Sequence, residues 1–217
     1  MGVTITAILG DYYHKAELSR EALENAVQQL GNEIKIQYST PDKLLNDLTE
    51  KPDAFILFAE NRLNPQDTTV VTWMNNETAA AINEYVENGG GWLAWHSGMA
   101  SYENVEGYIS MLRGYFTYHP EKHQIVEYKA TPESSYIVED DTFSFPDEHY
   151  FVECDKENTN VLLTSSSVDG ESIGGWAHDY GAGRVVCLCP AHLEEGLLHP
   201  AFQKILANSL RWCSIKE

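Results

Sequence analysis

His96, His119, Glu148 and His192 are the side chains of this sequence best suited to chemistry. An imidazole titrates near neutrality, so it can take or give a proton, and its neutral ring can hold a metal ion. A carboxylate can serve as a general base or as an oxygen ligand. Three histidines with a carboxylate suit zinc or another divalent metal bound through nitrogen and oxygen, although their long-range spacing matches no compact ligand motif. His119 precedes Pro120, which places it in an extended or turn conformation. Glu148 lies in Phe145-Pro-Asp-Glu-His-Tyr150, where an acidic pair precedes a strand-like run. Such a pair reads plainly as a turn with solvated charges, or functionally as a general base or metal-binding carboxylate. His192 follows the C-terminal end of the last apolar strand and can reach the same edge as His96.

His96 is distinguished by its surroundings, Gly89-Gly-Gly-Trp-Leu-Ala-Trp-His-Ser-Gly98. Three glycines end a helical run, a short apolar strand stops abruptly, and a helical pattern over 102–112 follows. A strand turning sharply into a helix at one polar residue is the geometry of a nucleophile elbow, with small residues two before and two after. Centred on Ser97 those places hold Trp95 and Met99; centred on His96 they hold Ala94 and Gly98, which fits. The elbow therefore presents an imidazole rather than a thiol or hydroxyl. Ser97 is a supporting residue, its backbone N–H placed to bind an anion or hydroxyl at a helix N-terminus. Tyr150 and Trp176 can offer a bound ligand a hydrogen bond and an apolar face. Cys187 and Cys189 share one face of a strand and cannot bridge each other there. Without a C-x-x-C spacing, Cys154, Cys187, Cys189 and Cys213 read as reduced cysteines, with a thiol nucleophile as the lesser alternative.

The elements that must position these groups alternate. Strands are predicted at 3–9, 33–38, 53–58 and 92–95, with helices near 17–30, 41–49, 76–87 and 102–112. That order predicts an α/β fold, a doubly wound and mainly parallel sheet that binds ligands beyond the C-terminal ends of its strands. After Arg113 come short strand-like runs at 124–129, 136–138, 150–154, 161–164 and 173–177, which suit an antiparallel extension in the C-terminal half. The parallel layer resumes at 184–189, and a helix over 200–212 covers it. Residues 61–75 give no clear pattern. Nothing marks a boundary, so residues 1–217 read as one domain.

Composition narrows the partners. The 33 acidic residues against 14 basic ones give a formal net charge of −19. Such a surface repels phosphate backbones and anionic headgroups, which argues against nucleic acid and membrane partners. A neutral small molecule such as a sugar is easier to reconcile with it; Arg113 and Arg184 are the basic residues near the motifs, and Arg184 is the candidate for substrate contact. The same acid excess also serves solubility alone. No run approaches the roughly 18–20 apolar residues of a spanning helix, and no leader-like segment opens the chain, so a cytoplasmic location is expected. A homo-oligomer stays open.

Taken together these motifs resemble the ThuA-like (trehalose-utilisation) family of the class I glutamine amidotransferase-like group. The matching residues are Gly89 to Gly91 with His96-Ser97, Gly114-Tyr-Phe-Thr-Tyr-His119-Pro120, Asp147-Glu148-His149-Tyr150, Trp176 with Gly181-Ala-Gly-Arg184, and His192, with His14 a looser match. Ala191 departs from a Gly-His common there. The resemblance implies a flavodoxin-like domain linked to sugar metabolism, commonly of disaccharides or their keto derivatives, and adds His14 to the substrate-binding candidates. Amidotransferases carry a catalytic cysteine at the elbow, so His96 implies no glutaminase activity. The expectation is an enzyme acting on a sugar or keto-sugar by acid-base chemistry through His96, His119 and Glu148. A divalent metal, zinc for instance, would sit on His96, His119 and His192. The other reading is a binding module that has lost its nucleophile.

Overall fold

Residues 3–9, 54–58 and 91–95 are short apolar runs, and Ala54–Phe58 and Gly91–Trp95 are buried at every position. A strand covered on both faces has no polar side to show, which is why these segments do not alternate. The computed structural model describes residues 2–31, 34–134, 136–138 and 142–214. Its strands are β1 (Val3–Leu9), β2 (Ile34–Ser39), β3 (Ala54–Phe58), β4 (Gly91–Trp95), β5 (Gly114–Tyr118), β6 (Gln124–Ala130), β7 (Thr142–Asp147), β8 (Phe151–Cys154), β9 (Asn160–Ser167), β10 (Gly170–Tyr180) and β11 (Gly183–Leu188). Nine of them form one sheet in the order β2-β1-β3-β4-β11-β10-β9-β6-β7, and β5 pairs with β8 separately.

The first five strands in that order are parallel, and β10, β9, β6 and β7 continue antiparallel. With β11 as the fifth parallel strand, the order is that of flavodoxin-like folds, whose ligands sit beyond the strand C-termini where the order reverses. The α/β reading with a parallel core and an antiparallel C-terminal extension therefore holds. The helices are α1 (Ala16–Gln28), α2 (Leu44–Thr49), α3 (Asn76–Glu87), α4 (Glu106–Leu112), α5 (Glu194–Leu197) and α6 (Pro200–Ser214). Helices α1 and α6 bring Leu23, Ala26, Phe202 and Leu206 to the face carrying Leu93 and Trp95. Helices α2, α3 and α4 bring Leu48, Ile82, Val86 and Met111 to the face carrying Trp92 and Ala94. Alternate β4 side chains thus feed two cores.

Several local expectations change. Residues 136–138 form a turn rather than a strand. Residues 142–147 are a strand, β7, despite Pro146; β7 is the sheet's edge, where a missing backbone donor is tolerated. The run from Tyr102 becomes helical only at Glu106, after a 3-10 turn over His96–Met99. Residues 61–75 form a loop fastened by a bridge between Arg62 and Thr72. The expected start of β2 at Glu33 lies outside the described residues. Among the described residues, no helix is long and apolar enough to cross a membrane.

Candidate metal and catalytic site

At the end of β4 the chain bends at His96, whose φ of 48° is left-handed, an uncommon conformation for a residue with a side chain. The bend is possible because Gly98 follows: a Cβ there would lie 2.0 Å from the Leu57 carbonyl oxygen on β3. The His96 ring is fully buried, packed between Phe58 (5.5 Å between centroids) and Tyr150 (4.2 Å). Its Nδ1 donates to the Cys189 carbonyl oxygen at 2.7 Å, so the tautomer is fixed and the Nε2 lone pair points away from that contact. Burial, reinforced by His14 and His192, pushes its pKa down to about 4, against the pull of Glu148. The ring is therefore neutral at neutral pH.

Three further groups converge on that nitrogen. His14 follows β1, and its Nδ1 lies 2.6 Å from Asp11 Oδ1. Burial works against a charge on Asp11, but His14 and the Glu60 backbone N–H hold it down, to about 2, so the carboxylate accepts. His192 follows β11, with its backbone N–H donated to Asp147 Oδ1 at 2.7 Å. Glu148 follows β7; its Oε2 is 3.6 Å from His96 Nε2 and 3.3 Å from His192 Nδ1. Burial disfavours its charge, yet His192 and His96 hold its carboxyl below the usual range. One ligand atom from each of His14, His96, Glu148 and His192 lies within 4.8 Å of all the others. His14 Nε2, His96 Nε2 and His192 Nδ1 are buried and have no hydrogen-bond partner among the described residues.

Buried polar atoms are nearly always paired. Three orphaned imidazole nitrogens gathered with one carboxylate oxygen within 4.8 Å of one another are an exception with a chemical reading: a donor set that could hold a divalent cation. The groups behind the rings agree, because Asp11 and the Cys189 carbonyl take the distal N–H of two of them, the usual arrangement behind metal-bound histidines. Asp147 joins two ligand-bearing segments by accepting from His192 and from the Tyr128 hydroxyl at 2.8 Å; burial pushes its own pKa up to about 7. A cleft of about 340 Å³ adjoins the quartet, with His14, His192, Tyr13, Phe58 and Leu197 in its walls, near the low end for small-molecule sites of roughly 300–1,000 Å³. Larger hollows lie elsewhere, one among Pro52, Tyr85 and Gly90 at the opposite ends of β3 and β4.

Over residues 10–213 the sequence matches the family described as ThuA, trehalose utilisation. The chain belongs to the ThuA family. No curated protein matches it. Among solved structures, a ThuA-like protein from Parabacteroides merdae is similar over 99% of this chain and 90% of its own, with a TM-score of 0.74 at 13% identity. The cytoplasmic protein STM3548 from Salmonella typhimurium is similar over 99% and 100%, with a TM-score of 0.67 at 16% identity. A β-galactosidase from Bacillus circulans is similar over 96% of this chain but 31% of its own, with a TM-score of 0.65 at 9% identity. At these identities the likeness is one of fold.

In this ThuA chain the predicted residues divide. His96, Glu148, His192 and His14 come together. His119, expected in the metal set, lies outside that quartet, its Nε2 3.9 Å from the other carboxylate oxygen of Glu148; His14, expected as a substrate contact, takes its place. Ser97 is buried next to the elbow, and its hydroxyl makes no well-formed hydrogen bond among the described residues. Tyr150 reaches the site as a buried ring stacked on His96, so its face is not open to a ligand. Trp176 and Arg184 do not reach it. Trp176 is fully buried, donating to the Leu112 carbonyl, because β10 turns that side chain into the core. Arg184 opens β11 in register with Gly91, at the end of the sheet opposite the elbow, and donates to the Trp212 carbonyl. The cysteines do not supply the elbow either: Cys187, Cys189 and Cys213 are buried, and burial pushes their thiols up. Sequence reasoning missed Asp11 and His123. Asp11-x-x-His14 and His119-x-x-x-His123 were the available signals, one a turn and the other a ligand-like spacing.

Proposed function

We propose that this chain holds a divalent metal ion, zinc or a similar one, on His14, His96, His192 and Glu148, and acts there on a sugar or keto-sugar derivative without glutaminase activity. The observation that carries the reading is the gathering of three buried ring nitrogens, without hydrogen-bond partners among the described residues, and one carboxylate oxygen within 4.8 Å of one another. Such an ion, when bound, polarises a carbonyl or hydroxyl oxygen. The chain's own groups do the rest. Asp11 and the Cys189 carbonyl fix the tautomers of His14 and His96, and Tyr150 and Phe58 hold the His96 ring from either side. With only that ion bound, His119, partly exposed beside Glu148, can carry a proton between a substrate hydroxyl or adjacent carbon and solvent. General acid-base help of this kind is typically worth about 10²–10⁴ in rate.

A sugar as substrate is supported by the family's description and by a surface whose acidity disfavours anionic ligands. A cytoplasmic setting is supported by the character of the Salmonella relative. Elemental analysis of the purified protein, joined to a turnover assay over disaccharides and their keto derivatives, tests the proposal. At least one bound divalent ion per chain and activity lost in His96→Ala are expected. A sugar that binds and is never converted would point instead to a binding module, and full activity after all four cysteines become serine would remove thiol chemistry.

A further inference from the structure

Glu148 divides its two oxygens between two sets of imidazoles. Oε2 faces His96 Nε2 at 3.6 Å and His192 Nδ1 at 3.3 Å, whereas Oε1 faces His119 Nε2 at 3.9 Å and His123 Nε2 at 3.7 Å. Most of these separations are too long for hydrogen bonds, which fall at roughly 2.7–3.2 Å. They are within reach of two ligands on one cation, because two bonds of about 2.0–2.2 Å span up to about 4 Å. We propose that His119, His123 and Glu148 Oε1 form a second divalent-cation site, with the Glu148 carboxylate bridging it to the inner ion. This inference rests on the inner centre argued above.

The outer rings are built for the task. His119 Nδ1 donates to the Pro120 carbonyl at 2.8 Å, which leaves its Nε2 lone pair on the side of Glu148. A backbone carbonyl takes the far N–H of His96 in the same way. His119 and His123 bracket the bend His-Pro-Glu-Lys-His between β5 and β6, with three residues between ligands, a spacing found in zinc proteins. The His123 ring packs 5.2 Å from His192, so the inner and outer sets abut. Burial separates them: the His96 side chain is fully buried, while those of His119 and His123 are 37% and 39% exposed. Three protein ligands at an exposed edge leave coordination positions for water or substrate, the mark of a catalytic rather than a structural ion. Paired-metal centres hold their ions about 3.5–4 Å apart and clamp a reacting oxygen between them. The outer site, carried by one surface bend, fills after the inner.

The test is a zinc titration of the metal-stripped full chain, followed by calorimetry and by elemental analysis at fixed free zinc. Two equivalents per chain are expected, the second weaker, and the double variant His119→Ala/His123→Ala is expected to keep only the first. His14→Ala is expected to lose the tighter one. A single equivalent that survives the double variant would leave the inner centre standing and overturn the second site. No equivalents at all would overturn the inner centre and, with it, the bridge. Two equivalents unchanged in the double variant would place the second ion elsewhere and likewise overturn the inference. Loading with Mn2+ gives an independent reading: spin-coupled signals support a bridging carboxylate, and uncoupled signals overturn it.

Discussion

Asp11 supplies no ligand atom, yet the tautomer of His14 depends on it. Its carboxylate accepts from the His14 ring and from the backbone N–H groups of Tyr13, His14 and Glu60, so one side chain sets both the loop and the ring. Outer-shell partners of this kind typically change metal affinity by about 10–100-fold when altered. Asp11→Asn is therefore expected to weaken zinc binding by that factor with the fold kept, as read by competition with a chromophoric chelator; unchanged affinity would take His14 out of the ligand set. Legibility was uneven at this scale. His96 could be read because the small residues around it, Ala94 and Gly98, are a local consequence of the bend. Glu148 sits between Asp147 and His149, and nothing local says that only the middle residue joins the quartet. In the fold Asp147 is bound by His192 and Tyr128, and His149 lies between Ser165 and Ser167. Trp176 was misread because an aromatic in a strand looks the same in sequence whether its ring meets a ligand or the core.

The bend after β4 depends on close approach to β3, and this can be tested on the element itself. Gly98→Val would drive a side chain into the Leu57 carbonyl, and overpacking of this sort costs about 1–3 kcal/mol or more. A lowered urea midpoint is expected. Gly107→Ala is the contrasting case: within α4 its Cβ would meet only Ala79 and Asn83 at 3.5 and 3.6 Å, ordinary contact. A gain of about 0.4–1 kcal/mol is expected there from the stiffer unfolded chain. The buried parallel strands were plain in the sequence because their apolar runs have a single explanation. The strands β5 and β7 were not: β5 is short and only partly buried in a sheet of two, and β7 carries Pro146 at the edge of the large sheet.

For the molecule as a whole, a bound ion and a proton act in the same equilibrium. A ligand present at about 100 times its dissociation constant adds about 2.7 kcal/mol to stability, which in a chain of this size raises the melting temperature by about 5–11 °C. Chelation is expected to reverse that shift, and no shift with any divalent ion would speak against the quartet. Proton linkage is cleanest away from the ligands, at His178. Burial pushes this ring down to about 4 although its Nε2 contacts the Met111 carbonyl. Its ordinary value is 6.5, so the unfolded chain takes up the proton first as pH falls. Its contribution is complete above about pH 6.5 and is lost toward pH 4, at up to about 1.4 kcal/mol per pH unit. Stability of the wild type relative to His178→Gln should fall across that window; a flat difference would show that the ring is not held neutral. Finally, the quartet draws one member from each of four stretches separated by whole strands and helices. An ion there ties distant parts of the chain together as a cross-link does, and the long loops so closed carry a large entropy in the unfolded state. Amide hydrogens around Asp11–His14, His96–Gly98 and Ala191–His192 should then slow their exchange together on metal loading, as a single opening unit rather than as independent tips.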